Sequence, residues 1–193
     1  MTSYCKMSTR ISREPANGVS CANRRVSPSV MKIEKLRLYL ESTTFNYYFD
    51  ADRDGHAETV RLFKDIGEGK YEGYTSGYAI TELEDAQEPK RSYMMGLIDK
   101  YNIVVLDANY ETYRLADRYI SEGMLSENHR FDSSHIAVAS VYGLDCVVSF
   151  NFRHINRIKT KRMTAQINQE EGYEEVIICT PMEVVDYEES EYD

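Results

Sequence analysis

The sequence predicts an α/β fold in which helices cover both sides of a central parallel sheet. Short apolar segments alternate along the chain with amphipathic, helix-like segments, which is the pattern of strands and helices in a parallel sheet. In the segment at residues 146–149, apolar and polar residues do not alternate, which is typical of a strand that is buried on both faces. At 193 residues, the chain is long enough to bury one core without disulfides or a structural metal.

Both ends of the chain differ in composition from the predicted domain, which spans residues 33–182. Residues 1–32 are rich in Ser, Arg, Asn and Pro and have no hydrophobic periodicity, so we expect a disordered basic leader. Residues 183–193 contain six acids. We expect there an acidic tail that is frayed or disordered, with folding over a basic cluster or binding of a partner as alternatives.

The distribution of charge restricts the partners. The net charge is −9, and residues 1–30 contribute +4, which leaves −13 for the rest of the chain. Backbone phosphates dominate the affinity of proteins for nucleic acids. Such an acidic body can therefore act on RNA only through a local basic patch or through metal ions.

The sequence predicts a cytoplasmic protein. No apolar run approaches the roughly 20 residues that are needed to cross a bilayer. The first residues lack the apolar segment of a secretion signal. The four cysteines lie far apart without a C-x-x-C pair, which favours reduced thiols over a disulfide framework or a zinc site.

Polar side chains follow the first predicted strand, residues 36–40. Glu41 comes directly after it, followed by three hydroxyl residues that include Thr43. Because ligands bind at the carboxyl ends of the strands in open α/β sheets, this pattern places Glu41 at a candidate site. The alternative is that Glu41 caps the following segment.

A second acid, Glu82, lies in a predicted helical segment that follows a strand at residues 71–76. On a helix, Glu82 is on a different face from Ala79 and Leu83. The other predicted elements of this half are helices at residues 54–69, 89–100 and 109–123, and a strand at residues 103–106 that we expect to be buried on both faces.

The most informative stretch is residues 131–155. A helix begins near Asp132, a turn follows at Gly143, and the buried strand at residues 146–149 leads to Asn151. Ser149 and Asn151 therefore face the site at the carboxyl edge, and Asp132 can join them from the start of its helix. His135 lies among apolar residues, which is more typical of a packed core histidine than of a functional one.

A basic segment comes next. Residues 153–162 contain five Lys or Arg residues and His154, but no acid. In so acidic a chain they are the best candidates for phosphate contacts, above all Arg153 and His154. The alternative is a solvated helix face that balances nearby carboxylates. A helix at residues 163–171 and a last strand at residues 175–179 complete the prediction.

Two motifs carry a resemblance to a known family. D-x-x-H-I-A-x-A at residues 132–139 and G-L-D-x-V-V-S-F-N-F-R-H-I at residues 143–155 resemble the C-terminal half of a PIN domain, the ribonuclease fold of VapC-type toxins. The resemblance implies a three-layer α/β/α sandwich with strand order 3-2-1-4-5. It also implies Mg²⁺- or Mn²⁺-dependent cleavage of single-stranded RNA, a small antitoxin as partner, and a homodimer.

The resemblance also implies a set of site residues. Glu41 stands where the family carries a metal-binding Asp, Glu82 matches the second acid by its spacing from Ser76, and Asp132 matches the third. Asn151 stands near the position of a fourth acid. Thr43 and Ser149 are then hydrogen-bond donors to the site or the substrate. Arg153 and His154 are donors to the phosphate of the substrate.

Carboxylates in one place favour hard cations such as Mg²⁺ or Mn²⁺, and would repel one another without a cation. Such a site hydrolyses a phosphodiester without a covalent enzyme intermediate.

Two other functions stay open at this point. Because Glu41 replaces an Asp and Asn151 replaces an acid, the fold could be catalytically degenerate and bind RNA or a protein without cutting. A Rossmann-like or receiver-type module is the second alternative. No G-x-G-x-x-G follows the first strand, which argues against dinucleotide binding, and Asp107 is the one candidate for a receiver-type phosphorylation site.

Overall fold

The computed structural model describes residues 35–189, so the predicted leader at residues 1–32 and the last four residues lie outside the described part. Five strands and eight helices alternate along it. They are β1 (Arg37–Leu40), α1 (Ser42–Tyr47), α2 (His56–Gly67), β2 (Glu72–Ser76), α3 (Gly77–Glu84), α4 (Lys90–Lys100), β3 (Val104–Leu106), α5 (Tyr110–Ser121), α6 (Arg130–Val141), β4 (Cys146–Val148), α7 (Ile158–Glu171), β5 (Ile177–Cys179) and α8 (Pro181–Glu189). A short 3-10 turn, Glu127–His129, precedes α6.

The strands form a single parallel sheet in the order β3-β2-β1-β4-β5. This confirms the predicted fold class and strand order. β1 lies in the middle of the sheet, where Leu38 pairs with Gly73 of β2 and Leu40 pairs with Val148 of β4. The residues that follow β1, β2 and β4 therefore meet at one edge, which is the edge for which the sequence predicts the site.

The sheet separates two hydrophobic cores, because successive side chains of a strand point to opposite faces. Leu38 and Leu40 pack into one core with side chains of α2, α4 and α8. Tyr39 packs into the other core with side chains of α5, α6 and α7. Helices on both faces thus give the three-layer arrangement that the alternating pattern predicts.

The third strand differs from its prediction. Residues 103–106 were expected to be buried on both faces, but Val104 is 48% exposed and Val105 is 44% exposed. β3 is at the edge of the sheet and pairs with β2 alone, so its outer side has no neighbouring strand. The apolar composition of the segment does not reveal this position.

The predicted acidic tail also needs correction, because α8 extends from Pro181 through Glu189 and includes most of residues 183–193. Glu183 accepts hydrogen bonds from the amide and the hydroxyl of Thr180, at 2.7 and 2.9 Å, in a capping arrangement. Val184 and Val185 are buried in the core beside α2. A capped helix start and two adjacent valines outweigh the acidic composition, which alone suggested a frayed segment.

Helix α7 begins five residues before the predicted start at residue 163. Its first five residues therefore contain part of the basic segment, namely Lys159, Lys161 and Arg162. Cations at a helix N-terminus are unfavourable toward the positive end of the helix dipole.

No helix in residues 35–189 combines the length and the apolar character that a membrane crossing requires.

We expect the substitution Ser133→Ala to stabilise the protein by about 1 kcal/mol, since a buried hydroxyl without a partner costs free energy. Ser133 is fully buried on α6, and its Oγ has no hydrogen-bond partner in the described residues. Urea unfolding would measure the gain. Ser134→Ala is the matched control, because Ser134 Oγ donates to the Arg130 carbonyl at 2.9 Å and its loss gives no gain. Equal responses of the two variants would contradict this explanation.

Candidate metal centre and active site

Glu41 lies at the centre of the site, directly after β1, and is only 2% exposed. Its carboxylate accepts hydrogen bonds from the hydroxyls of Ser42 and Ser149, each at 2.8 Å, and from the hydroxyl of Thr43. In the described part of the chain it has no Lys or Arg partner. A carboxylate that is buried among hydroxyls, without a Lys or Arg partner, is a candidate ligand for a cation.

Thr43 and Ser149 connect Glu41 to the segment after β4. Thr43 Oγ1 accepts a hydrogen bond from the backbone amide of Phe150 at 2.9 Å, and Ser149 Oγ accepts one from the amide of Asn151 at 2.9 Å. Both hydroxyls are thus fixed by the backbone while they donate to the carboxylate. These two hydroxyls hold Glu41 in one orientation.

Glu82 reaches the same region from α3, where His135 Nε2 lies 3.0 Å from its Oε2. The other ring nitrogen, His135 Nδ1, lies 2.7 Å from the hydroxyl of Tyr39, which lies 2.6 Å from Ser76 Oγ. His135, Tyr39 and Ser76 are fully buried. A buried hydrogen-bonded chain therefore runs from the end of β2 through β1 and α6 to Glu82.

Asp132 lies at the start of α6, and its Oδ1 accepts a hydrogen bond from Asn151 Nδ2 at 2.7 Å. Its Oδ2 lies 3.4 Å from Nδ1 of His129. Asn151 Oδ1 in turn accepts the backbone amide of His154 at 3.0 Å. The Asn151 side chain thus links Asp132 to the backbone at His154 and fixes the orientation of the Asp132 carboxylate.

The potential metal ligands fall into two groups. Ligand atoms of Glu41, Glu82 and His135 all lie within 4.8 Å of one another, and so do those of His129, Asp132 and His154. The three predicted carboxylates thus meet at one edge, but Asp132 groups with two histidines and Glu41 and Glu82 group with one. No sequence pattern singles out His129, whereas the apolar neighbours of His135, three residues after Asp132 on the same helix, predict a packed core histidine.

The pKa values of the site reflect burial and crowding. Burial raises the pKa of Asp132 to about 6; His135 opposes this rise and the charge of Glu41 adds to it. For Glu82, burial acts to raise the pKa, but the hydrogen bond and the charge of His135 lower it. For His135, burial acts to lower the pKa, but Glu82, followed by Glu41 and Asp132, raises it. The neighbouring carboxylates raise the pKa values of His135 and Asp132, whereas the lowered pKa of Glu82 reflects its contact with His135.

Two histidine rings stack beside Asp132. The ring centroids of His129 and His154 are 3.6 Å apart, with 25° between the planes. Burial lowers the pKa of His154, and the neighbouring His129, Arg157 and Arg153 lower it further. A neutral imidazole is favoured at His154, which suits it to hydrogen bonding more than to ionic contact with phosphate.

The basic segment lies next to this histidine pair. A cavity of about 490 Å³ is lined by His129, His154, Arg157, Lys159 and the loop at residues 123–127. Within residues 35–185, Arg153, Arg157 and Arg162 form no ion pair with a carboxylate. By contrast, Arg114 pairs with Glu171 at 2.5 Å and Arg130 pairs with Asp117 at 2.5 Å. The alternative of a helix face that balances nearby carboxylates therefore finds no support among the described residues.

No protein-family model matches this sequence. No curated protein matches it either. Among solved structures, the chain is similar to the crystal structure of Mycobacterium tuberculosis VapC20, a sarcin-ricin loop cleaving toxin, with a TM-score of 0.48 and 13% sequence identity. That match covers 72% of this chain and 98% of the other. So distant a likeness carries no weight for function, which rests on the residues of the site.

Proposed function

We propose that the protein is a metal-dependent endoribonuclease that hydrolyses phosphodiester bonds of single-stranded RNA in the cytoplasm. The observation that carries this proposal is the meeting of Glu41, Glu82 and Asp132 at the carboxyl edge of a parallel sheet, where the charges of Glu41 and Glu82 contribute to the raised pKa of Asp132. Following the resemblance of residues 131–155, we further propose that it is the toxin of a toxin–antitoxin pair. A small antitoxin protein and a second copy of the chain are then its protein partners.

The donor set fits Mg²⁺ or Mn²⁺. Hard divalent cations take carboxylate oxygens, and Glu41 and Glu82 bring such oxygens within 4.8 Å of each other. Glu41 has hydroxyl partners but no cationic one in the described residues, so a divalent ion would complete its charge balance. When bound, the ion supplies a more acidic water molecule and neutralises negative charge that develops on the phosphate.

The residues around the carboxylates have positioning roles in this proposal. Thr43 and Ser149 hold the carboxylate of Glu41, and Asn151 holds that of Asp132. Fixed orientation matters because a displacement of about 1 Å at reacting groups lowers rates strongly. Asn151 therefore acts on the reaction through Asp132, since its own oxygen is bonded to the His154 amide.

The substrate contacts come from the basic segment. Arg153, Arg157 and Arg162 are exposed and free of carboxylate partners in the described part of the chain, so they can bind backbone phosphates. His154 belongs to this segment and has a ring nitrogen within 4.8 Å of a carboxylate oxygen of Asp132, where it can donate a hydrogen bond to a phosphate near the scissile bond. An acidic protein with such a local basic strip binds RNA in one orientation along that strip.

We expect purified protein to cut a mixed pool of labelled single-stranded RNAs in Mn²⁺ or Mg²⁺ and to leave the pool intact in EDTA. Asp132→Asn should lower the cleavage rate by at least about 100-fold, because it removes one of the charges that the cation balances. Gel analysis of the labelled products would measure both effects. Cleavage that persists in EDTA, or full activity of the variant, would contradict the proposal.

A binding module without catalysis is the second candidate, and one observation favours it. Three hydroxyls already satisfy the carboxylate of Glu41, so the site is internally hydrogen-bonded without a cation. Folded wild-type protein that binds Mn²⁺ and RNA but cuts nothing would support this function. Glu41→Asp discriminates further, because a catalytically degenerate site should still cut no RNA when the shorter acid is restored.

A further inference from the structure

We propose that His135 is itself a ligand of the cation, so that Glu41, Glu82 and His135 form a mixed oxygen and nitrogen site that selects Mn²⁺ over Mg²⁺. This inference rests on the proposed function, whose carboxylate site it completes. It differs from the set implied by the sequence resemblance, in which all three ligating side chains are acids.

The first argument is the convergence of ligand atoms. Glu41, Glu82 and His135 each place one ligand atom within 4.8 Å of the other two. His135 Nε2 and Glu82 Oε2 are 3.0 Å apart. Two ligand atoms about 2.1 Å from one cation and at a right angle to each other are separated by roughly this distance. An ion can therefore replace the direct contact between the two side chains with little movement.

The second argument is the support behind the ring. His135 Nδ1 lies 2.7 Å from the hydroxyl of Tyr39, which is itself bonded to Ser76 Oγ. Histidine ligands typically donate from their other nitrogen to an oxygen, which fixes the ring orientation. In the cation-free protein, Nε2–H donates to the carboxylate of Glu82. With a cation bound, the tautomer that carries its proton on Nδ1 would donate to Tyr39, and Nε2 would offer its lone pair to the ion.

The third argument concerns Asp132. Its Oδ1 accepts from Asn151 and its Oδ2 lies near His129, and it groups with His129 and His154 rather than with Glu41 and Glu82. Among the described residues, His135 supplies the third convergent ligand atom. Imidazole nitrogen suits first-row transition ions, whereas Mg²⁺ prefers oxygen ligands and retains several waters. The site should therefore favour Mn²⁺.

Pulsed electron paramagnetic resonance of bound Mn²⁺ tests this directly, because electron spin echo envelope modulation detects a coordinated ¹⁴N nucleus. The wild-type protein should show ¹⁴N modulation, and labelling its histidines with ¹⁵N should replace that signal. The matched variants are His135→Gln, which should lose the modulation, and a His129→Gln, His154→Gln double variant, which should retain it. We also expect the ratio of Mn²⁺ to Mg²⁺ affinity to fall by about tenfold or more in His135→Gln.

The possible outcomes distinguish a failure of this inference from a failure of the proposed function. Bound Mn²⁺ without nitrogen modulation in the wild type would overturn His135 as a ligand and leave a carboxylate site that His135 merely positions. Modulation that disappears with the His129 and His154 substitutions would overturn it too, in favour of the second histidine group. Failure of the wild type to bind Mn²⁺ would overturn both the inference and the metal dependence of the proposed function. The ¹⁵N experiment and the double variant both leave His135 unaltered, so together they decide even where His135→Gln does not fold.

Discussion

Glu41→Gln should lower the single-turnover rate of RNA cleavage by at least about 1000-fold in saturating Mn²⁺. Glutamine has nearly the same shape as glutamate, but it removes the buried negative charge at the centre of the site. Its amide group also meets the hydroxyls of Ser42, Thr43 and Ser149, which now donate to the carboxylate. Loss of an interaction worth several kcal/mol corresponds to a rate change of this size.

Glu84→Gln is the control for this prediction, because Glu84 is an exposed acid at the end of α3, the helix that carries Glu82. It should keep the wild-type cleavage rate, and circular dichroism should show both variants folded. A Glu41→Gln variant that is folded and retains activity within tenfold of wild type would exclude Glu41 from the reaction.

Phe63→Ala should reduce the free energy of unfolding by about 3–5 kcal/mol, which is the usual cost of removing a buried aromatic ring. Phe63 is fully buried on α2 and packs edge-on against Phe45 of α1, with ring centroids 5.4 Å apart. Its ring also meets those of Tyr48 at 5.2 Å and Tyr101 at 5.5 Å. This aromatic cluster supports α1, which begins one residue after Glu41.

Urea unfolding followed by circular dichroism measures the loss. Tyr110→Ala removes an aromatic ring of similar size that is 76% exposed, and should change stability by less than about 0.5 kcal/mol. Losses of similar size in the two variants would contradict the assignment of Phe63 to a packed core.

The sequence predicts the sheet and the edge that carries the site because both depend on local patterns. Asp132 at a helix start, Gly143 at a turn and Asn151 after a strand are each visible in a few residues. Gly143 adopts a φ of 61°, a conformation that glycine takes without steric cost. Burial of β4 follows from its uninterrupted apolar run.

The features that the sequence did not predict depend on contacts between distant segments. The position of β3 at the sheet edge is set by strand order, and its own apolar residues do not encode it. The helical state of residues 181–189 depends on burial of Val184 and Val185 against α2, which outweighs the acidic composition around them. Local composition therefore predicts too much burial for β3 and too little structure for residues 183–189.

The candidate site shows the same division. The positions of Glu41, Glu82 and Asp132 at one edge follow from where strands and helices end. The partners of these acids do not follow, because His135 joins Glu82 across 53 positions of sequence and Ser149 joins Glu41 across 108. A histidine among apolar residues is ordinarily a core residue, and only the proximity of Glu82 and Tyr39 distinguishes His135 from one.

The chemical ends of the RNA fragments test the central claim most directly. If carboxylates and a cation activate water for attack on the phosphodiester, the 2′-hydroxyl of the substrate takes no part and no 2′,3′-cyclic phosphate forms. Mass spectrometry of products made in Mn²⁺ should therefore show a linear phosphate on one fragment and a free hydroxyl on the other from the earliest time points. A 2′,3′-cyclic phosphate as the first product, formed equally well in EDTA, would contradict hydrolysis at a carboxylate–metal site.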